Sequence, residues 1–192
     1  MNDNLFDIEQ DFWNCDKCNL AENRTKQETS IEFGSGYADA VGVLITHKPL
    51  TAKGVHTKSK ENLDKIWDKV KIDERDWYDT SVIMCPNAEH ATFDQIKSCN
   101  ERLKATIYTI SPKVIVLMGA PSYFSFFGEF NTTNPPRFGP IACENYKVFF
   151  TYDLEEYFSY QENDKTKASH VAQEILSHWT MISNKIKEIV SL

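Results

Sequence analysis

The stretch Pro112-Lys113-Val114-Ile115-Val116-Leu117-Met118-Gly119-Ala120 decides the fold. Val114–Met118 is short, unbroken and apolar, and three of its residues are β-branched, which reads as a strand buried on both faces. Gly119 then turns the chain into a short helix, Ala120–Phe127. Upstream, Phe93, Ile96, Leu103, Ile107 and Ile110 recur at helical spacing. They predict a long amphipathic helix over Thr92–Ile110, opened by an N-cap threonine and closed by Pro112. Further out, Ala40–Thr46 (AVGVLIT) and Trp77–Met84 (WYDTSVIM) read as strands, with an amphipathic helix over Lys58–Val70 between them and a short helix over Asp7–Trp13 before them. Downstream, Asn131–Gly139 (NTTNPPRFG) is a loop by composition, Val148–Tyr152 a fourth strand, and Lys165–Val190 a long terminal helix. Strands alternating with helices predict an α/β chain: a three-layer α/β/α sandwich on a central, mainly parallel four-stranded sheet.

A chain of 192 residues is long enough for one domain with a substantial core, expected to span residues 1–192. Its 41% apolar content suits a folded globule rather than a disordered tail. The formal net charge of −7 argues against strong non-specific attraction to nucleic acid, although a local basic patch can still bind it. No apolar run approaches a membrane span. The acidic start, MNDNLFDIEQDFWNC, lacks the regions of a signal peptide. The expected compartment is the cytoplasm, a host's if the chain is viral, where cysteines stay reduced and hold metal more often than they form disulfides.

Four of the five cysteines fall into two groups. Cys15 and Cys18 open CDKCNLAENRT; Cys85 and Cys99 follow in IMCPN and KSCNER. Two clustered thiols with two distant ones predict a four-thiolate site that ties remote segments together, taking an iron–sulfur cluster or zinc. Cys143 lies outside the pattern and is expected to be a small buried or half-buried residue.

The cysteine phrase, with Leu20, Arg24 and Thr25, then Gly34 and Gly36, then AVGVLIT, resembles the family-four, iron–sulfur uracil-DNA glycosylases. Cys85-Pro86 at a strand end, Cys99 on the following helix, and the PKVIV strand with Gly119 and Ala120 extend the resemblance from about Cys15 to Trp179. It implies that Cys15, Cys18, Cys85 and Cys99 ligate a 4Fe–4S cluster of structural role, with zinc as the alternative.

The chain departs from that family where the chemistry sits. The family's GEAPG appears as Thr46-His47-Lys48-Pro49-Leu50, with His47 in place of the glutamate. Its GxPF, which supplies an aromatic to stack on the base, becomes Gly54-Val55-His56-Thr57. Its uracil-reading asparagine is Ser81, and its TYHPA loop is Thr151-Tyr152-Asp153-Leu154-Glu155, with Asp153 for the histidine. A carboxylate there would repel a uracil anion rather than stabilise it. His47, Thr57, Ser81 and Asp153 thus mark a degenerate base pocket. His47 reads either as a general base at the pocket floor or as a polar residue left at a strand end.

Lys48, Lys53, His56, Lys58 and Lys60 form a basic cluster that holds DNA phosphates or is simply solvated. Asp153, Glu155 and Glu156 form an acidic run, followed by Tyr157, Phe158 and Tyr160, which suit core packing or base stacking. Tyr123, Phe124, Phe126 and Phe127 are expected mostly in the core. Pro135, Pro136, Arg137 and Gly139 resemble the family's RG-containing loop. Two functions follow as expectations. The first is a catalytically degenerate, uracil-DNA glycosylase-like iron–sulfur protein that binds single- or double-stranded DNA, a replication or repair protein, or both. The second is an active DNA glycosylase remodelled around His47 and Asp153, acting on uracil or a modified base.

Overall fold

The computed structural model describes residues 4–27, 29–52, 55–85, 91–128, 138–143 and 145–191, with backbone alone at 51, 52, 55, 56 and 142. In chain order the elements are α1 (Leu5–Phe12), α2 (Leu20–Lys26), β1 (Ser35–Gly36), β2 (Gly42–Thr46), β3 (Thr51–Ala52), β4 (Val55–His56), α3 (Lys58–Val70), β5 (Trp77–Ser81), α4 (Phe93–Ile110), β6 (Val114–Met118), α5 (Ala120–Phe127), β7 (Ile141–Ala142), β8 (Lys147–Thr151), α6 (Leu154–Asn163) and α7 (Lys165–Val190). A short 3-10 turn, Glu74–Asp76, leads into β5.

The main sheet runs β1-β5-β2-β6-β8-β7. Its four central strands, β5, β2, β6 and β8, are mutually parallel. The two-residue strands β1 and β7 close the edges antiparallel. The expected four-stranded parallel sheet is therefore the centre of a six-stranded mixed one. The edge strands escape sequence reading because pairing, not periodicity, defines them. The expected strand over Trp77–Met84 stops at Ser81, where Val82 and Ile83 donate to the carbonyls of Thr46 (2.8 Å) and His47 (3.1 Å), hooking over the end of β2.

Alternation along the central strands divides the core in two. Val43 and Ile45 of β2, Ile115 and Leu117 of β6, and Val148 and Phe150 of β8 face α1, α4 and α5. Leu44, Val114, Val116, Met118 and Phe149 face α3, α6 and α7. On the second face Trp67, Trp77 and Trp179 meet with ring centroids 5.5–5.8 Å apart, a geometry worth ~0.5–1.5 kcal/mol per pair beyond area burial. Phe158 belongs to this face, with Tyr157 and Tyr160 packed beside it, so those aromatics serve the core. Tyr123 and Phe124 are buried on the other face, with Phe126 and Phe127 half-buried against it.

Helix ends follow the local chemistry. Thr92 caps α4 by accepting from Gln95 N–H (3.3 Å), while Gln95 Oε1 accepts from Thr92 N–H (2.7 Å). The αL residue Ser111 ends that helix just before Pro112. Among the described residues no helix is long and apolar enough to cross a membrane.

Candidate functional site

The first parallel strand, β2, lies between β5 and β6, so the chain leaves it once to each side. In open α/β sheets the crevice at such a reversal, beyond the carboxyl ends of the strands, is where ligands bind. A cavity of ≈ 170 Å³ opens there, lined by His47, Lys48, Thr57, Met118, Asp153 and Glu155 among others. The structure thus gathers His47, Thr57 and Asp153 in one place. Ser81 is 2% exposed and lines a neighbouring cavity that shares the Pro49–Leu50 wall.

The polar groups of this crevice mostly serve the fold. Asp153 is half-buried and caps α6, its Oδ1 accepting from Glu155 N–H at 2.8 Å. Burial pushes its carboxyl up to about 6, so it is mostly ionised at neutral pH. Gly119, at φ 81°, lets β6 end against this cap: a Cβ there would lie 2.9 Å from Asp153 Cβ. Thr57 caps α3, accepting from Lys60 N–H at 3.2 Å and donating to Leu50 O at 2.6 Å. Ser81 Oγ donates to Ile83 O at 2.7 Å. Thr46 Oγ1 donates to Lys48 O at 2.6 Å and lies 3.2 Å from Thr80 O.

The expected basic cluster is dispersed. Lys60 is 7% exposed, its ammonium bonded to Asp64, 3.6 Å from Glu74 and over the Trp67 ring. It therefore points inward and leaves the phosphate-facing set, a correction the helical period hides because Lys60 shares a face with Leu63 and Trp67. Lys48 is 3.2 Å from Glu155, closing an ion pair at the crevice. Lys58 is exposed and lays its ammonium over the Phe158 ring at 4.1 Å. Lys53, the side chain of His56, Pro135, Pro136 and Arg137 lie outside the described residues.

On the α1–α4 face, Cys15, Cys18, Cys85 and Cys99 all line one narrow cavity. None is in a disulfide, and Cys143 is half-buried elsewhere. Arg24 holds the first pair in place, its Nη2 donating to Cys15 O at 2.8 Å. Burial, with Cys99 nearby, pushes the Cys85 thiol up to about 11, and burial also raises Cys99. Thiolates at these positions therefore need a positive centre to form. Among the described residues, no three His, Cys, Asp or Glu side chains come close enough to hold a single metal ion. The donor set fits a four-thiolate centre; its spacing is not that of a closed mononuclear chelate, where Zn–S is ≈ 2.3 Å.

Sequence reading missed the carboxylates of the neighbouring cavity, Glu9, Glu32 and Asp79. Asp79 carried a signal: an acid within WYDTSVIM breaks an otherwise buried strand.

Among curated proteins, none matches the chain. The family model for the uracil DNA glycosylase superfamily matches residues 27–177. That span begins after Cys15 and Cys18, takes in every strand of both sheets, and ends within α7. A match of that extent covers both faces of the sheet and the crevice at its reversal, so the chain belongs to the uracil DNA glycosylase superfamily.

Proposed function

We propose that the protein is a catalytically degenerate, iron–sulfur-bearing member of the superfamily, acting in the cytoplasm, whose strand-end crevice serves recognition rather than base excision. The observation that carries this reading is Asp153. Cleavage of a glycosidic bond leaves negative charge on the departing base, and catalysis needs donors or cations aimed at it. Asp153 instead brings an ionised carboxylate to the crevice, and Lys48 is paired with Glu155. Removing a single such donor costs ~10²–10³ in rate, and a repelling charge costs more.

The cofactor reading is supported by the convergence of Cys15, Cys18, Cys85 and Cys99 on one cavity. Those four residues would hold a 4Fe–4S cluster, which there pins α1, the end of β5 and α4 together; zinc is the alternative occupant. For partners, the dispersal of the lysines and the acids along the crevice favour a replication or repair protein over bare DNA.

Single-turnover base release, with protein in excess over uracil-, hypoxanthine- or oxidised-base DNA in single and double strands, tests this. No release above the protein-free rate is expected. Release that is lost in both His47→Ala and Asp153→Asn would establish a remodelled glycosylase instead. Salt-sensitive retention of DNA without release would restore nucleic acid as the partner.

A further inference from the structure

Beside the strand-end crevice lies a larger cavity of ≈ 280 Å³, bounded by α1, the segment entering β1, β5 and the Pro49–Leu50 turn. Its lining includes three carboxylates, Glu9, Glu32 and Asp79, and among the described residues no lysine, arginine or histidine. The lining is also built closely. Gly34, at φ 144°, passes so near β5 that a Cβ there would lie 2.5 Å from Asp79 O.

Asp79 is the informative member. Trp77, two residues before it on β5, is buried against α3 and α7, and Ser81, two residues after it, lines the same cavity as Asp79. Its carboxyl is withdrawn from water, and Oδ1 accepts no hydrogen bond. Lys60 is the cation whose charge reaches it, but that ammonium is bonded to Asp64 and shared with Glu74. A desolvated carboxylate with an unmet oxygen works against the fold unless something supplies a donor.

The chemistry of that donor is constrained. A bare metal ion is unsuitable, because no three ligating side chains converge on one point among the described residues. The lining acids come from α1, the β1 approach and β5, which calls for a cation with several donors spread in a plane. A guanidinium has five donors in a rigid fork and is weakly hydrated, so it addresses separated carboxylates at little desolvation cost. We propose that this cavity is a receptor for one guanidinium group, held chiefly by Asp79 with Glu9 and Glu32 at its walls, and presented by an arginine side chain of a protein partner. It rests on the reading of this edge as a recognition surface and names the chemistry recognised.

The test is a titration of the isotope-labelled protein, as purified, followed by backbone-amide NMR. The probes are Nα-acetyl-arginine methylamide, its neutral isostere Nα-acetyl-citrulline methylamide, and a short unstructured peptide with one central arginine. Saturable shifts at Gly34, Ser35, Asp79 and Thr80 are expected with the arginine compound, with citrulline at least ten-fold weaker. Asp79→Asn should weaken the arginine compound at least ten-fold, and Glu9→Gln several-fold. Glu188→Gln, a distant acid paired with Lys185, should leave it unchanged. Equal response to citrulline, shifts centred elsewhere, or full binding by Asp79→Asn would overturn the receptor. If Asp79→Asn fails to fold, Glu9→Gln combined with Glu32→Gln makes the same comparison, and unchanged binding there overturns it equally. The peptide binding more tightly than the capped amino acid supports a protein source. Equal affinity overturns that source in favour of a free guanidino compound. Base release on the same sample bears only on the non-excising reading, so the two can fail separately.

Discussion

Replacing Asp79 with asparagine should stabilise the free protein, and only above a defined pH. Burial pushes the Asp79 carboxyl from 3.8 up to about 7, partly offset by Lys60 and reinforced by Asp64 and Glu74. Glu9 and Glu32 face the same cavity and add negative charge. Below about pH 4 the carboxyl is protonated in folded and unfolded chains alike and contributes nothing. As pH rises toward 7 the unfolded chain releases the proton first, so native stability falls, and above 7 the whole cost is present. A shift of about three units corresponds to a ceiling of ~4 kcal/mol. Partial exposure of the residue and the Lys60 charge reduce that to roughly 1–2 kcal/mol. Asp153, whose folded-state carboxyl is also raised, produces its own fall toward about 6, but in both proteins, so it cancels in the difference. Urea midpoints at pH 4.5 and pH 8, followed by fluorescence of the Trp67–Trp77–Trp179 cluster, measure the effect. The variant should unfold at higher urea at pH 8, with an unchanged slope, and match the parent at pH 4.5. A variant less stable at pH 8, or equally shifted at both values, would show that Asp79 has its partner within the fold and that the cavity is not charge-frustrated.

Two further outcomes bear on other parts of the molecule. The purified protein should be brown, with broad absorption near about 400 nm and iron and sulfide in equal amounts; Cys85→Ser and Cys99→Ser should lose the colour while Cys143→Ser keeps it, whereas a colourless protein with one zinc per chain would assign the same thiolates to zinc. Arg102 is 0% exposed and reaches Thr80 Oγ1 (2.6 Å), Phe33 O (3.4 Å) and the Ser81 carbonyl; Arg102→Ala, by stripping donors from buried acceptors and leaving a void, should lower stability by ~3–5 kcal/mol in urea unfolding, and a loss below 1 kcal/mol would mean that water replaces it.

Where one face of an element is uniformly apolar, the sequence was a sufficient guide. Lys58–Val70, Val114–Met118, Ala120–Phe127 and Lys165–Val190 have the bounds their periodicity predicts. Helix α6 was harder, because LEEYFSYQEN mixes acids and aromatics and only its contacts with α7 bury Phe158. The four cysteines were legible as a set because thiol spacing is rare enough to read across long gaps, and they line a common cavity. The lysines were not. A lysine's sequence neighbourhood says nothing of whether an acid waits across the fold, and Asp64, Glu74 and Glu155 settle Lys60 and Lys48 only in three dimensions. Arg102 was invisible for the same reason: on a helix rich in Lys and Glu it reads as surface, yet its guanidinium ties α4 to the end of β5.

How the polar groups at the strand ends are engaged separates the two cavities. In the crevice, Asp153 caps α6, Thr57 caps α3 and bonds Leu50 O, Thr46 joins the turn at Lys48 to β5, and Lys48 meets Glu155. Groups bonded to one another in the resting fold are already spent: a transition state must break those bonds before it can use the atoms, which removes the advantage of preorganisation. Asp79 stands in the opposite position. Its Oδ1 is desolvated and unmet, so a donor entering that cavity gains a hydrogen bond without displacing one. Affinity is obtained most cheaply where the protein has already met the desolvation cost. By that criterion the acid-lined cavity, rather than the crevice where base excision is housed in the glycosylases this chain resembles, is where binding free energy is available.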